Sequence, residues 1–145
     1  MDLVALLNQT PFLGLLGIEV TEAADGHAEA RLEFSEDLLS NPTGDVIHGG
    51  ATYALADMAG GAAVISLSKA VSPTVDMRMD YLAPATTDLV ADGEVVRFGK
   101  NLAMTRVDVH DATGTHVATA HGTYKTDGQG EETPWADDSG LPDEV

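Results

Sequence analysis

The chain of 145 residues is predicted to fold as an α+β domain in which an antiparallel sheet wraps around one long central helix. Three observations carry this expectation. One alanine-rich run, from the glycine pair at 49 and 50 to about Leu67, has helical propensity throughout. Six other stretches show the apolar–polar alternation and bounding turn residues of strands, most of them joined by hairpin-length connections. The length suits one hydrophobic core and is too short for two ordinary domains.

Taken in order, residues 2–16 carry Leu3, Leu6, Leu7, Phe12 and Leu15 punctuated by Pro11, a pattern for one or two short helical turns capping an open end of the fold. A first strand is expected over 16–24, turning at Asp25-Gly26 into a second in which Ala28, Ala30, Leu32 and Phe34 alternate with polar residues. The helix follows, with Ala51, Ala54, Leu55, Met58, Ala62 and Ile65 as its buried stripe. Four strands are expected over 74–82, 89–97, 102–110 and 115–125, with turns at Asp92-Gly93 or Gly99 and at 111–114, Gly93 alternatively marking a bulge. This makes 1–126 a single domain. From Asp127 to Val145 the chain holds Gly, Pro and acids with no base, the composition of a disordered tail, in which Trp135 is the only tryptophan.

Charge narrows the function. The net charge is −17, and seventeen of the 24 acids precede residue 127 together with all seven bases, so the folded surface itself is acidic. Nucleic acid and anionic membrane would be repelled. Such a lysine-poor acidic surface resembles proteins of cells that hold molar salt, where a Debye length of about 3 Å screens self-repulsion. A dimer of such chains is therefore expected to weaken in low salt, to be checked by sizing it across a salt titration; full stability without salt would refute this. No signal peptide or apolar membrane span is evident, which places the expected site of action in the cytoplasm. With no cysteine there is no catalytic thiol, disulfide framework or cysteine zinc site. Ser66, Ser68 and Ser72 lie in no G-x-S-x-G setting, and no phosphate-binding loop or dinucleotide fingerprint occurs. His116 and His121 differ by an odd number, which on a regular strand puts them on opposite faces, so no metal site is expected.

The segment from Asn41 to Gly61, NPTGDVIHGGATYALADMAGG, points to an enzyme. The first turn of a helix has backbone N–H groups without intrahelical partners, and the macrodipole adds positive charge, so an oxyanion can sit against Gly49. Gly49 and Gly50 lack side chains, which lets a carbonyl approach the backbone; the alternative is a glycine pair that only makes a turn. Asp57 lies beside the apolar stripe with Tyr53, Gly61 and Val64, and no Lys or Arg occurs between Arg31 and Lys69. A half-buried carboxylate is compensated, protonated or kept for chemistry, unless it sits at the polar margin of the helix. Gly49 and Asp57 are eight residues apart, or roughly 12 Å along a helix. Base and oxyanion donor must each come within about 3 Å of the reacting atoms. If both are catalytic, they come from different subunits, and two antiparallel copies of the helix about a twofold axis would achieve this, with Gly60 and Gly61 permitting close approach.

These residues, in the order Asn41, Pro42, Gly44, His48-Gly49-Gly50 and Leu55-Ala56-Asp57, then Thr74-Val75-Asp76-Met77, Tyr81-Leu82-Ala83-Pro84-Ala85 and Gly99-Lys100-Asn101-Leu102-Ala103, resemble the signature of the PaaI-type hotdog-fold acyl-CoA thioesterases over roughly residues 10–126. The resemblance implies hydrolysis of an acyl-CoA ester to free acid and CoA. Asp57 would activate water or attack directly, and Gly49 of the other subunit would supply the oxyanion N–H. Asn41 and His48 would orient the thioester or brace the loop, and Thr74 would help place the water. The departure is a loop with three residues between Gly44 and His48 where the commoner family spacing has two. The substrate would meet Gly50 and side chains around Tyr53, Met58, Met77, Met79 and Tyr81. Arg97, Lys100, Asn101 and Arg106 cluster near one turn, where basic groups can meet phosphates of coenzyme A or simply solvate a hairpin. No separate cofactor is expected, since coenzyme A is part of the substrate, and the family commonly pairs its dimers into tetramers. The competing functions are a noncatalytic acyl-CoA binding module and another hotdog activity such as an enoyl-CoA hydratase.

Overall fold

The computed structural model describes residues 2–127, so the expected tail beyond Asp127, with Trp135, lies outside the described residues. In chain order the elements are α1 (Leu3–Leu7), α2 (Pro11–Leu16), β1 (Ile18–Ala24), β2 (His27–Leu32), a 3₁₀ turn (Glu36–Leu38), α3 (Gly49–Ser68), β3 (Thr74–Tyr81), β4 (Leu89–Phe98), β5 (Leu102–Asp111) and β6 (His116–Lys125). The strands form one antiparallel sheet in the order β1-β2-β4-β5-β6-β3, and α3 lies across its inner face. This is the hotdog arrangement.

Local chemistry sets the element ends. Asp2 caps α1 by accepting from the Ala5 N–H at 2.8 Å. Pro11 opens α2 at a position where its missing N–H costs nothing, and Gly17, at φ 76°, closes it in the left-handed conformation. Asn8, between the two helices, donates to the Val20 carbonyl and accepts from the Val20 N–H, both at 2.8 Å, so its amide imitates a neighbouring strand and moors the N-terminal segment to the edge strand β1.

Four expectations are corrected. The buried face of the helix is wider than the predicted stripe and rotated from it: Ala51, Leu55 and Ala62 are buried as expected, together with Thr52, Ala56, Ala59, Ala63 and Ser66, whereas Ala54, Met58 and Ile65 are only partly buried. A curved sheet covers more than half the helix circumference, so the helix is apolar nearly all round and its sequence carries no directional signal. Gly93 makes neither a turn nor a bulge. It pairs with Ala28 and Val107 inside the sheet, where a Cβ would sit 2.7 Å from the Ala59 carbonyl oxygen, so it is the point at which helix backbone rests on sheet backbone. The bulge comes after it, between Val95 and Arg97.

Gly60 and Gly61 are buried and face the chain's own sheet, because a Cβ on Gly60 would meet the Tyr124 hydroxyl at 2.6 Å and one on Gly61 would meet the Tyr124 ring at 3.4 Å. They make room for Tyr124 rather than for a second helix. Finally, β6 skips a residue at Val117, since Val109 pairs with Ala118 but His110 with His116. The bulge reverses the parity, and His116 reaches the outer face that His121 shares, stacking on His110 at 4.7 Å and meeting Asp108 at 3.0 Å.

Candidate active site

Asp57 sits in the middle of α3, half-buried, with its Oδ1 accepting from Thr74 Oγ1 at 2.8 Å and from the Tyr124 hydroxyl at 3.0 Å. The carboxylate is therefore compensated by two hydroxyl donors and no cation. Both bonds fall on Oδ1, and Oδ2 receives none among the described residues. Thr74 is delivered by the first position of the edge strand β3, and Tyr124 by the end of β6. Tyr124 is almost fully buried, and that burial, reinforced by the adjacent Asp57 carboxylate, pushes its phenol far above the ordinary tyrosine range, so it serves as a fixed donor. Asp57 lies on the wall of a groove of about 500 Å³ whose other lining is mostly apolar, including Phe12, Leu13, Ala54, Met58 and Val71.

The second half of the site is the start of the same helix. His48 is the N-cap: its Nδ1 accepts from the Gly50 N–H at 2.8 Å, which fixes the imidazole proton on Nε2 when the ring is neutral. The Ala51 and Thr52 N–H groups point back to the His48 carbonyl. The Gly49 N–H alone in this turn has no acceptor among the described residues, and Gly49 lines a separate groove of about 390 Å³ with Ile47, Thr52, Tyr81, Ala83 and Val117. Helix α3 runs unbroken between the two positions, so Gly49 and Asp57 of one chain stand roughly 12 Å apart along its axis.

Other predicted residues separate into those the fold gathers and those it does not. Asn41 lines neither groove. Its Oδ1 accepts from the Thr43 N–H at 3.2 Å and packs against Gly44 at the tip of a loop closed by the Ser40–Val46 and Leu39–Ile47 pairings, a bracing geometry. Tyr53 spends its hydroxyl on the Met77 carbonyl at 3.0 Å. Arg97, Lys100 and Asn101 line a third groove of about 410 Å³ with Leu102 and Met104. Arg106 does not join them, being paired with Asp108 at 3.3 Å. Arg31, Arg78 and Lys125 also have acidic partners, so among the described residues Arg97, Lys100 and Lys69 are the cations without an ion pair.

The role of Tyr124 as donor to Asp57 was not read from sequence, though a signal exists: the inward positions of β6 are Ala118, Ala120, Gly122 and then one large phenol, which cannot be buried without a hydroxyl partner. Tyr81 also does more than line a pocket. Its hydroxyl donates to the Gly49 carbonyl at 2.6 Å. Burial first, and the neighbouring Tyr53 second, raise its phenol above the ordinary value, so it too remains a donor at neutral pH.

A sheet wrapped around a helix that carries a tethered carboxylate and an open N-terminal N–H defines a PaaI-type hotdog protein. Residues 44–118 match the Thioesterase superfamily model. The chain belongs to the thioesterase superfamily. It is 37% identical over 124 residues to a candidate esterase from Halobacterium salinarum, spanning 78% of this chain and 82% of that protein. It is 25% identical over 130 residues to the medium/long-chain acyl-CoA thioesterase YigI of Escherichia coli, spanning 79% and 84%. Among solved structures, a mutant of the phenylacetic acid degradation protein PaaI from Thermus thermophilus superposes with a TM-score of 0.72 at 32% identity, covering 79% of this chain and 97% of that one. These relationships support thioester hydrolysis as the general activity. Among the described residues no helix is long and apolar enough to cross a membrane.

Proposed function

We propose that the chain hydrolyses acyl-CoA thioesters in a homodimer, with Asp57 of one subunit and Gly49 of the partner subunit completing each site. The observation that carries this reading is the division of the machinery: within one chain the tethered carboxylate and the open N–H line two different grooves. In the proposed reaction Asp57 takes a proton from water while the water oxygen bonds to the thioester carbon, or else Asp57 attacks that carbon itself and water then cleaves the resulting anhydride to release the acid and restore the carboxylate. The charge that develops on the carbonyl oxygen is received by the Gly49 N–H at the positive end of α3. Collapse breaks the carbon–sulfur bond. The leaving thiolate is a much weaker base than an alkoxide and needs no strong general acid.

The apolar walls of the Asp57 groove suit an uncharged acyl group, since a carboxylated one would meet Asp57 and no cation there. In this reading Thr74, which donates to Asp57, accepts from the attacking water, whereas Asn41 braces the loop ahead of His48. The third groove is assigned to the phosphates of coenzyme A, because two of the cations without ion pairs converge on it in a chain of charge −17. Arg97→Ala and Lys100→Ala are each expected to raise KM for acyl-CoA about fivefold with kcat nearly unchanged, as loss of uniform binding requires. Steady-state kinetics at one fixed salt concentration checks this.

The test of the proposal is release of CoA thiol from a panel of acyl-CoA esters in high salt. Hydrolysis would establish the activity and rank the acyl groups. Absence of hydrolysis with acyl-CoA still bound would identify a binding module instead.

A further inference from the structure

The Gly49 N–H is an effective oxyanion donor only if its direction is fixed, and glycine has the most freely rotating backbone of any residue. The peptide on one side of Gly49 is held because its carbonyl, that of His48, accepts from the Ala51 N–H at 2.9 Å. The peptide on the other side, between Gly49 and Gly50, is held at both ends: its N–H by His48 Nδ1 at 2.8 Å, and its carbonyl, already part of the first turn of α3, by a second donor, the Tyr81 hydroxyl, at 2.6 Å. A Cβ at Gly49 would lie 3.2 Å from three atoms of the Tyr81 phenol, so the ring rests directly over the glycine.

Tyr81 comes from the last position of β3, the strand whose first residue is Thr74. Between them Met77 accepts from Tyr53 of α3 at 3.0 Å. Three hydroxyl bonds therefore tie this edge strand to the catalytic helix, one at Asp57, one midway and one at Gly49.

We infer that Tyr81 is a positioning residue, a clamp that orients the Gly49 N–H by pinning the peptide that follows it. The inference rests on the thioesterase reading for its kinetic consequence and on backbone geometry alone for its structural one. Removing a whole oxyanion donor costs about 10²–10³ in kcat, and loosening one of its supports should cost a fraction of that on a logarithmic scale.

Tyr81→Phe removes the hydroxyl and keeps the ring. The expected result is a fall in kcat of about tenfold with KM changed less than about twofold, since the donor acts in the transition state. Amide hydrogen exchange of the same variant should show the Gly50 N–H exchanging about tenfold faster or more while the rest of α3 keeps its protection. Unchanged exchange at Gly50 would overturn the clamp whether or not the protein hydrolyses thioesters. Faster exchange in a protein whose native form releases no thiol from any ester would uphold the clamp and sink the thioesterase reading. Unchanged kcat in an active enzyme with faster exchange would show that the pinned peptide does not orient the donor, which also overturns the inference.

Discussion

Asp57→Asn is expected to lower turnover by about two orders of magnitude or more while leaving KM nearly unchanged, because it removes a proton acceptor used in the transition state and little ground-state binding. Asparagine is the better probe because it preserves the local hydrogen bonds. Its carbonyl can still accept from Thr74, and the Tyr124 hydroxyl lies 3.0 Å from the Asp57 backbone oxygen as well as from the side chain. No buried donor is stranded, so the melting temperature should change by only a few degrees, corresponding to about 1 kcal/mol. Asp57→Ala should cost similar turnover. Thiol-release kinetics alongside a thermal melt separates the two effects: lost turnover with an intact melt assigns chemistry to the carboxylate, and unchanged turnover removes Asp57 from the mechanism.

Much of this arrangement was legible in the residues before the structure, and the boundary of legibility has a physical meaning. The six strands fall within one or two residues of their expected ends, because alternation and turn residues are local signals and the hairpins between them are short. Asp57 and Gly49 were legible for the same reason: a carboxylate inside an apolar helix and glycines at its start are read within a few residues of themselves. The buried face of α3 was not, because a sheet that wraps a helix leaves it apolar on most sides.

What supports the site was least legible. Tyr124 reaches Asp57 across 67 residues of sequence and Tyr81 reaches Gly49 across 32, and only the pairing of β3 with β6 at the sheet edge brings them home. Gly60 shows the limit of a sound local argument. A glycine pair in a helix does announce close approach, and what approaches is the phenol of Tyr124 from the chain's own β6 rather than a second helix.

Gly49→Pro is expected to lower kcat by about 10²–10³ without unfolding the protein, since it deletes the proposed oxyanion N–H and otherwise disturbs only the Tyr81 ring that supports the same donor. Gly49 is the first residue of α3, where proline is welcome, and the residue before it already has the extended backbone that proline demands, with His48 at φ −56° and ψ 134°. The new Cβ presses on Tyr81, which is about half exposed and can yield the few tenths of an ångström required. The decisive use of this variant is in combination. If Asp57 and Gly49 of each site come from different subunits, a mixed dimer of Gly49→Pro and Asp57→Asn chains carries both lesions in one site and neither in the other. Random reassortment of equal amounts makes half the dimers mixed, so activity should return to about a quarter of native from two nearly inactive parents. Recovery of that size cannot arise if both groups act within one chain, because every site would then be damaged. A mixture no more active than its parents, once exchange of subunits has been demonstrated, would place the oxyanion donor elsewhere and break the argument that the roughly 12 Å between these two residues demands a partner.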